Sequence, residues 1–220
     1  MKIPSHIPAM TLRGVVLFPH AMLPLRIFED RYKKMLADVL QKDRMFAVVA
    51  EREKHYADET LEEPPFEVAT IGLIRVSKEN TDGTSFVMLQ GVSRIRIKSI
   101  IQEYPYRILS AEAFETIVEQ GRPTMRNKII DALVQNKKLG GEVTNETLEY
   151  LNIVDDDATF IDLAAFTLCK NTIRKQAMLE VQRLHRREEM FFDDLMKENL
   201  QLAFHKNFID QGEIPDLDRN

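Results

Sequence analysis

The residues of this chain best suited to chemistry are five histidines, six serines, one cysteine and a run of three aspartates. His6, His20, His55, His185 and His205 show no paired spacing that would let two imidazoles hold one metal ion. His20 stands in a turn between two apolar segments, where bonding to a nearby backbone group is the expected role. Ser5, Ser77, Ser85, Ser93, Ser99 and Ser110 lie in no nucleophile motif. Cys169 follows Ala164-Ala165-Phe166-Thr167-Leu168 and is expected as a small buried core residue. With a single cysteine there is no internal disulfide and no cysteine metal cluster. Asp155-Asp156-Asp157 precedes an apolar helical stretch, so its carboxylates are expected to cap that helix. Asp193 and Asp194 occupy consecutive helical positions and face different ways, which makes them a poor acid/base pair. No G-x-x-x-x-G-K-[ST] occurs, and Gly140-Gly141 runs into Glu142-Val143, which cannot cradle a phosphate. These residue types in this pattern predict no catalytic site and no cofactor or metal.

The elements around those residues fall into two parts. Up to about Phe114 the pattern is β with one helix. Val15–Phe18 is expected as a buried strand ending at Pro19, and Leu23–Phe28 as a second strand with Pro24 at an edge or bulge. Tyr32, Met35, Leu36, Val39 and Leu40 form a helical stripe. Strands are expected over Met45–Ala50, Phe66–Val76, Ser85–Leu89, Arg94–Lys98 and Tyr104–Ala113, with Asp82-Gly83 as a hairpin turn. Lys54–Pro65 is polar and reads as an exposed excursion. Arg94 and Arg96 share one strand face, expected to be solvated, and Gly91 is expected to mark a bulge or bend. Short strands at this spacing suggest a closed or strongly curled barrel.

Beyond Gly121 the pattern turns helical. One helix is expected from Thr124 to Lys138, stopped by Gly140-Gly141, and a short one from about Asn145 to Asn152. The last helix is expected from about Glu180 to Phe208, with Leu184, Phe191, Leu195 and Leu202 on one stripe and Phe192 and Met196 alongside. The division expected from these patterns is 1–116 and 117–220. Charge follows it: Met1–Phe114 carries 16 basic and 15 acidic residues, and the remainder 14 and 20.

Ile7-Pro8 leading into GVVLFPHAMLPLRIFEDRY (Gly14 to Tyr32) resembles the opening of the Lon protease N-terminal, substrate-binding domain family. A second block, Val68-Ala69-Thr70-Ile71-Gly72-Leu73-Ile74 followed by Asp82-Gly83 and Val87 to Ile97, is similar to that family's valine–glycine–threonine and glycine–x–x–arginine region. Ala69 stands where the family often has glycine, and Gln90 where it often has glutamate. The resemblance implies an α+β fold: a PUA-like β pseudo-barrel followed by an α-helical bundle with a long C-terminal helix. It also implies a stand-alone substrate-recognition module without the family's ATPase and peptidase parts, hence no enzyme.

The net charge of −5 gives no electrostatic footprint for nucleic acid. No apolar run reaches the roughly 20 residues of a membrane span, and the start lacks a signal peptide, so a cytoplasmic location is expected. The expected partners are unfolded or apolar protein segments, with a separate protease as a further candidate. Pro24, Phe191, Phe192 and Met196 are the candidate partner-binding residues. The 3–4 spacing along the last helix keeps a second reading open, in which that helix pairs with another copy or a partner.

Overall fold

The computed structural model of the chain describes residues 3–52 and 63–210. Six strands form one sheet: β1 (Ile7–Leu12), β2 (Met22–Ile27), β3 (Met45–Ala50), β4 (Val68–Glu79), β5 (Ser85–Gln102) and β6 (Arg107–Ala113). Their order is β2-β5-β4-β3-β1-β6, and β6 pairs again with β5, so five strands close into a barrel. Only β1 and β3 run parallel; every other pair is antiparallel.

β5 makes the closure possible because it is 18 residues long. β4 lies along one of its edges. The other edge is shared: Ser85–Gln90 takes β2, and Ile95–Gln102 takes β6. Between them the register slips where Gly72 pairs with Gly91 and Ile71 with Ser93, leaving Val92 as the extra residue of a bulge. The expected irregularity at Gly91 is therefore present. A Cβ on Gly91 would sit 2.0 Å from the Phe18 carbonyl oxygen. The close approach is held by His20 N–H to Gly91 O at 2.8 Å and Gly91 N–H to Ala21 O at 2.9 Å.

The barrel interior is filled by Ile7, Ala9, Ala47, Val49, Ala69, Ile71, Ile95 and Leu109. Small alanines among the branched residues let five strands curl tightly, and each fully buried isoleucine or leucine contributes on the order of 2 kcal/mol. On the outside, α1 (Asp30–Leu40) packs near β1 and β3 and buries Tyr32, Met35, Leu36 and Val39. The Tyr32 hydroxyl donates to Thr11 O.

Val15–Phe18 is not a strand. It is an irregular segment whose apolar character reflects burial of Val16, Leu17 and Phe18 rather than ladder pairing. Its backbone is engaged from the side, with the Thr70 hydroxyl donating to Leu17 O at 2.6 Å. The strand in that region is β1, whose Pro8 falls at a position paired only with β6. Most of Lys54–Pro65 lies outside the described residues; at its end Pro65 bridges back to Glu51.

The described residues include six helices, namely α1 and, after the barrel, α2 (Arg126–Lys138), α3 (Asn145–Asn152), α4 (Asp157–Leu168), α5 (Thr172–Leu179) and α6 (Leu184–Asp210). By contacts the chain forms two units. Residues 1–117 and 162–182 make the first, 118–161 and 183–220 the second. Residues 162–182, placed with the helices in the division at 116/117, thus group with the barrel.

Arg94 explains that return. It is 2% exposed, and its guanidinium donates to Leu179 O at 3.1 Å, to Val181 O at 2.7 Å and to the Thr116 hydroxyl. Gln176 adds a bond to Val68 O at 2.9 Å. The expected solvated face for Arg94 and Arg96 is thus corrected for Arg94, which the 162–182 segment covers. Arg96 stays exposed over the Phe114 ring at 4.4 Å. Cys169 also differs from expectation: it lies past the end of α4 and is half-buried, its thiol 3.6 Å from Asn171 O.

In the second unit, α2 packs on α6. Ile129, Leu133, Phe191 and Leu195 are buried there together with two asparagines. Asn136 Nδ2 donates to Asn199 Oδ1 at 2.9 Å, and Asn199 Nδ2 donates to Ala132 O at 2.8 Å. Glu188, on the inner side of α6, accepts from the Thr124 hydroxyl at 2.9 Å. Asp156 accepts the Thr159 N–H at 2.7 Å, the capping bond expected of the aspartate run.

Candidate interaction surface

Among the described residues β2 is an edge strand, paired only with β5. The Gly91 N–H bond to Ala21 O turns the Ala21 carbonyl toward β5, while Gly91 O accepts from His20 N–H and Ala21 N–H donates to Phe18 O. Alternation then assigns the inward backbone groups of β2 to Leu23, Leu25 and Ile27. The N–H and C=O of Met22 and Arg26 and the C=O of Pro24 face the open side. Pro24 has no N–H to offer there, so it removes the central donor from the free edge.

The same alternation turns the side chains of Met22, Pro24 and Arg26 to solvent, where all three are exposed. Cross-strand register then assembles a platform on three strands. Met22 lies opposite Gln90, which lies opposite Leu73. Pro24 lies opposite Met88, which lies opposite Val76. Arg26 lies opposite Phe86, which lies opposite Lys78. Met22 (42%), Phe86 (38%) and Val76 (50%) are exposed, while Leu73 and Met88 are half-buried. Single exposed apolar residues are ordinary, but these are contiguous because opposite residues on one sheet face are about 5 Å apart.

A second bulge sets the platform's charge. Ile74 pairs with Leu89 and Val76 with Met88, so Arg75 is the extra residue and points to solvent beside Val76. Its Nε donates to Gln90 Oε1 at 2.6 Å, with no carboxylate on it among the described residues. At the far end Arg26 pairs with Asp82 at 2.9 Å. The Thr84 hydroxyl and N–H, and then Arg26, hold the Asp82 carboxyl below the usual carboxylate range. Asp82-Gly83 makes the expected β4–β5 turn, with Gly83 at φ +74°.

The other candidates sit on α6 in the second unit. Phe191 is 3% exposed and belongs to the core, and Phe192 is half-buried. Met196 is 38% exposed and begins a line with Leu200 and Phe204 at i, i+4, i+8. Pro24 and the α6 residues therefore stand in different units. Sequence reasoning missed Arg75, Val76, Phe86 and Met88. The only available signal was the hairpin at Asp82-Gly83, which puts the two strands side by side without saying which face is wet.

A concavity of about 350 Å³ in the first unit is lined by Ile3, Met45, Ile71, Val92, Ser93, Ala113 and Glu115. His20, expected to bond backbone through its ring, contributes its N–H instead and adopts φ +65°. The arrangement supports apolar contact with charged orientation; the Ser5 hydroxyl lies 3.1 Å from His6 Nδ1, an exposed contact between neighbours in sequence.

The ATP-dependent protease La (LON) substrate-binding domain matches the chain over residues 6–197. The Lon protease of Escherichia coli strain K12 is 29% identical over 185 residues, covering 83% of this chain and 24% of that protein. The Lon protease of Clostridioides difficile is 26% identical over 204 residues, covering 90% and 26%. The chain thus spans about a quarter of the length of these relatives. Among solved structures, a Lon N-terminal domain protein from Xanthomonas campestris is similar, with a TM-score of 0.63, 20% identity, and 86% of this chain and 98% of that one covered. The N-terminal domain of Mycobacterium avium complex Lon protease is similar with a TM-score of 0.60 and 14% identity, covering 89% and 98%. The chain shares its fold with these Lon N-terminal domains and belongs to the family of the Lon substrate-binding domain.

Proposed function

We propose that this chain is a non-catalytic module that captures exposed apolar segments of client or partner proteins. The observation carrying the proposal is the contiguous apolar platform of Met22, Pro24, Met88, Phe86 and Val76 on a sheet edge. Water released from such a surface favours association with any complementary apolar segment. Family membership supports a substrate-recognition role, with a separate protease as a candidate recipient of the captured client. Among the described residues no helix is long and apolar enough to cross a membrane, and we place the activity in the cytoplasm. Calorimetry with a reduced, alkylated unfolded polypeptide should give saturable binding that weakens in Val76→Asp. Absence of binding up to millimolar concentration would sink the reading.

Met196, Leu200 and Phe204 favour a second role, pairing of α6 with another copy or a partner helix. Light scattering at high concentration tests it: a strictly monomeric mass removes self-association.

A further inference from the structure

We infer that the barrel platform selects apolar segments that carry carboxylates, because its two open cations flank the apolar row. The inference rests on the reading of the chain as a binder of apolar segments. Arg75 is delivered to the solvent face by the β4 bulge, and among the described residues its one bond, Nε to Gln90 Oε1, leaves both terminal NH2 groups unclaimed. Lys78 is exposed on the same face and has no carboxylate within ion-pair distance among the described residues. Arg26, by contrast, is already matched by Asp82.

Arg75 and Lys78 lie three residues apart on β4, roughly 10 Å along an extended strand, with Val76 and Met88 beside them. A guanidinium takes a carboxylate with two parallel bonds, and an ammonium takes one as a point charge. The occupant that fits is a segment with apolar side chains on the platform and aspartates or glutamates over Arg75 and Lys78. Such rim charges act on orientation and encounter more than on total affinity. A basic segment would meet repulsion at both points. Pro24 removes the central donor of the β2 edge, so selection depends on this face rather than on strand addition.

The test uses the full chain and three peptides with one apolar core, flanked by aspartate, asparagine or lysine, in fluorescence anisotropy at low salt. The aspartate peptide should bind roughly tenfold more tightly than the lysine peptide, from two exposed ion pairs worth a few-fold each. The double variant Arg75→Glu/Lys78→Glu should reverse that order, and added salt should compress it. If all three peptides bind alike, apolar capture stands and charge selection is overturned. If no peptide and no unfolded polypeptide binds, both are overturned. A dimer that dissociates in the double variant would assign the platform to a second copy and also overturn the inference.

Discussion

Replacing Gly91 by alanine tests the architecture at its tightest point. Gly91 does not have a left-handed φ, so backbone conformation does not require glycine. The requirement is space: the new Cβ would meet Phe18 O at 2.0 Å, Phe18 C at 2.9 Å and Pro19 Cα at 3.2 Å. Ordinary carbon–oxygen contact is more than 1 Å longer, and the obstacle is backbone, which cannot rotate away. Separation on that scale breaks the bonds His20 N–H to Gly91 O and Gly91 N–H to Ala21 O. Each broken bond in a buried setting costs about 1–3 kcal/mol, so Gly91→Ala should destabilise the protein by about 3–5 kcal/mol. Two other glycines calibrate the result. At Gly72 the obstacle is the Leu89 side chain, Cγ at 2.5 Å, and overpacking there should cost about 1–3 kcal/mol. At Gly83 there is open space but φ is +74°, for a cost of about 1 kcal/mol. Urea unfolding followed by circular dichroism measures all three; with a slope of about 2 kcal/mol/M, the Gly91→Ala midpoint should fall by roughly 2 M. A Gly91→Ala midpoint no lower than that of Gly83→Ala would refute the close-approach argument.

Burial holds the phenols of Tyr32 and Tyr106 up to about 12, with a bond to Asp38 adding to the effect at Tyr106. Their raised values stabilise the fold below pH 10, and that contribution is lost as pH rises through about 12. Ultraviolet titration should show two of the five tyrosines ionising late and reverting to about pH 10 in denaturant; five normal phenols would contradict the packing. Asn199→Leu should cost about 2 kcal/mol by orphaning Asn136 Nδ2 within the second unit, read as a thermal shift. An unchanged melting temperature would count against that buried pair. Pro24→Val restores the missing outward donor on β2 and should raise self-association at high concentration in light scattering. An unaltered mass would show that residue 24 faces β5 with its N–H.

The barrel and most helices were legible because their patterns are local. Alternation, Asp82-Gly83 and the 3.6-residue stripe of α1 depend on neighbours in sequence. Val15–Phe18 was misread because a run buried by side-on contacts has the same composition as a buried strand. β1 was hidden by Pro8, which is tolerated only because its position is paired on one side. Arg94 was placed on the correct face of β5, but a segment some 85 residues later covers it. Periodicity carries no information about such distant partners. Pro24 was legible as an edge residue, whereas the rest of the platform depends on a bulge at Arg75 that shifts the phase of β4 by one residue.

The interleaving of the two units has a consequence for synthesis on the ribosome. All six strands have been translated by Ala113, yet the barrel's covering segment ends at Gln182. At about 5–20 residues per second, the roughly 65 residues from Ile117 to Gln182 take several seconds to emerge. During that interval Arg94 lacks the carbonyls of Leu179 and Val181, and Val68 O lacks Gln176. The nascent barrel therefore spends seconds with a charged, unfinished flank, a window in which a truncated transcript or a stalled ribosome would leave it open.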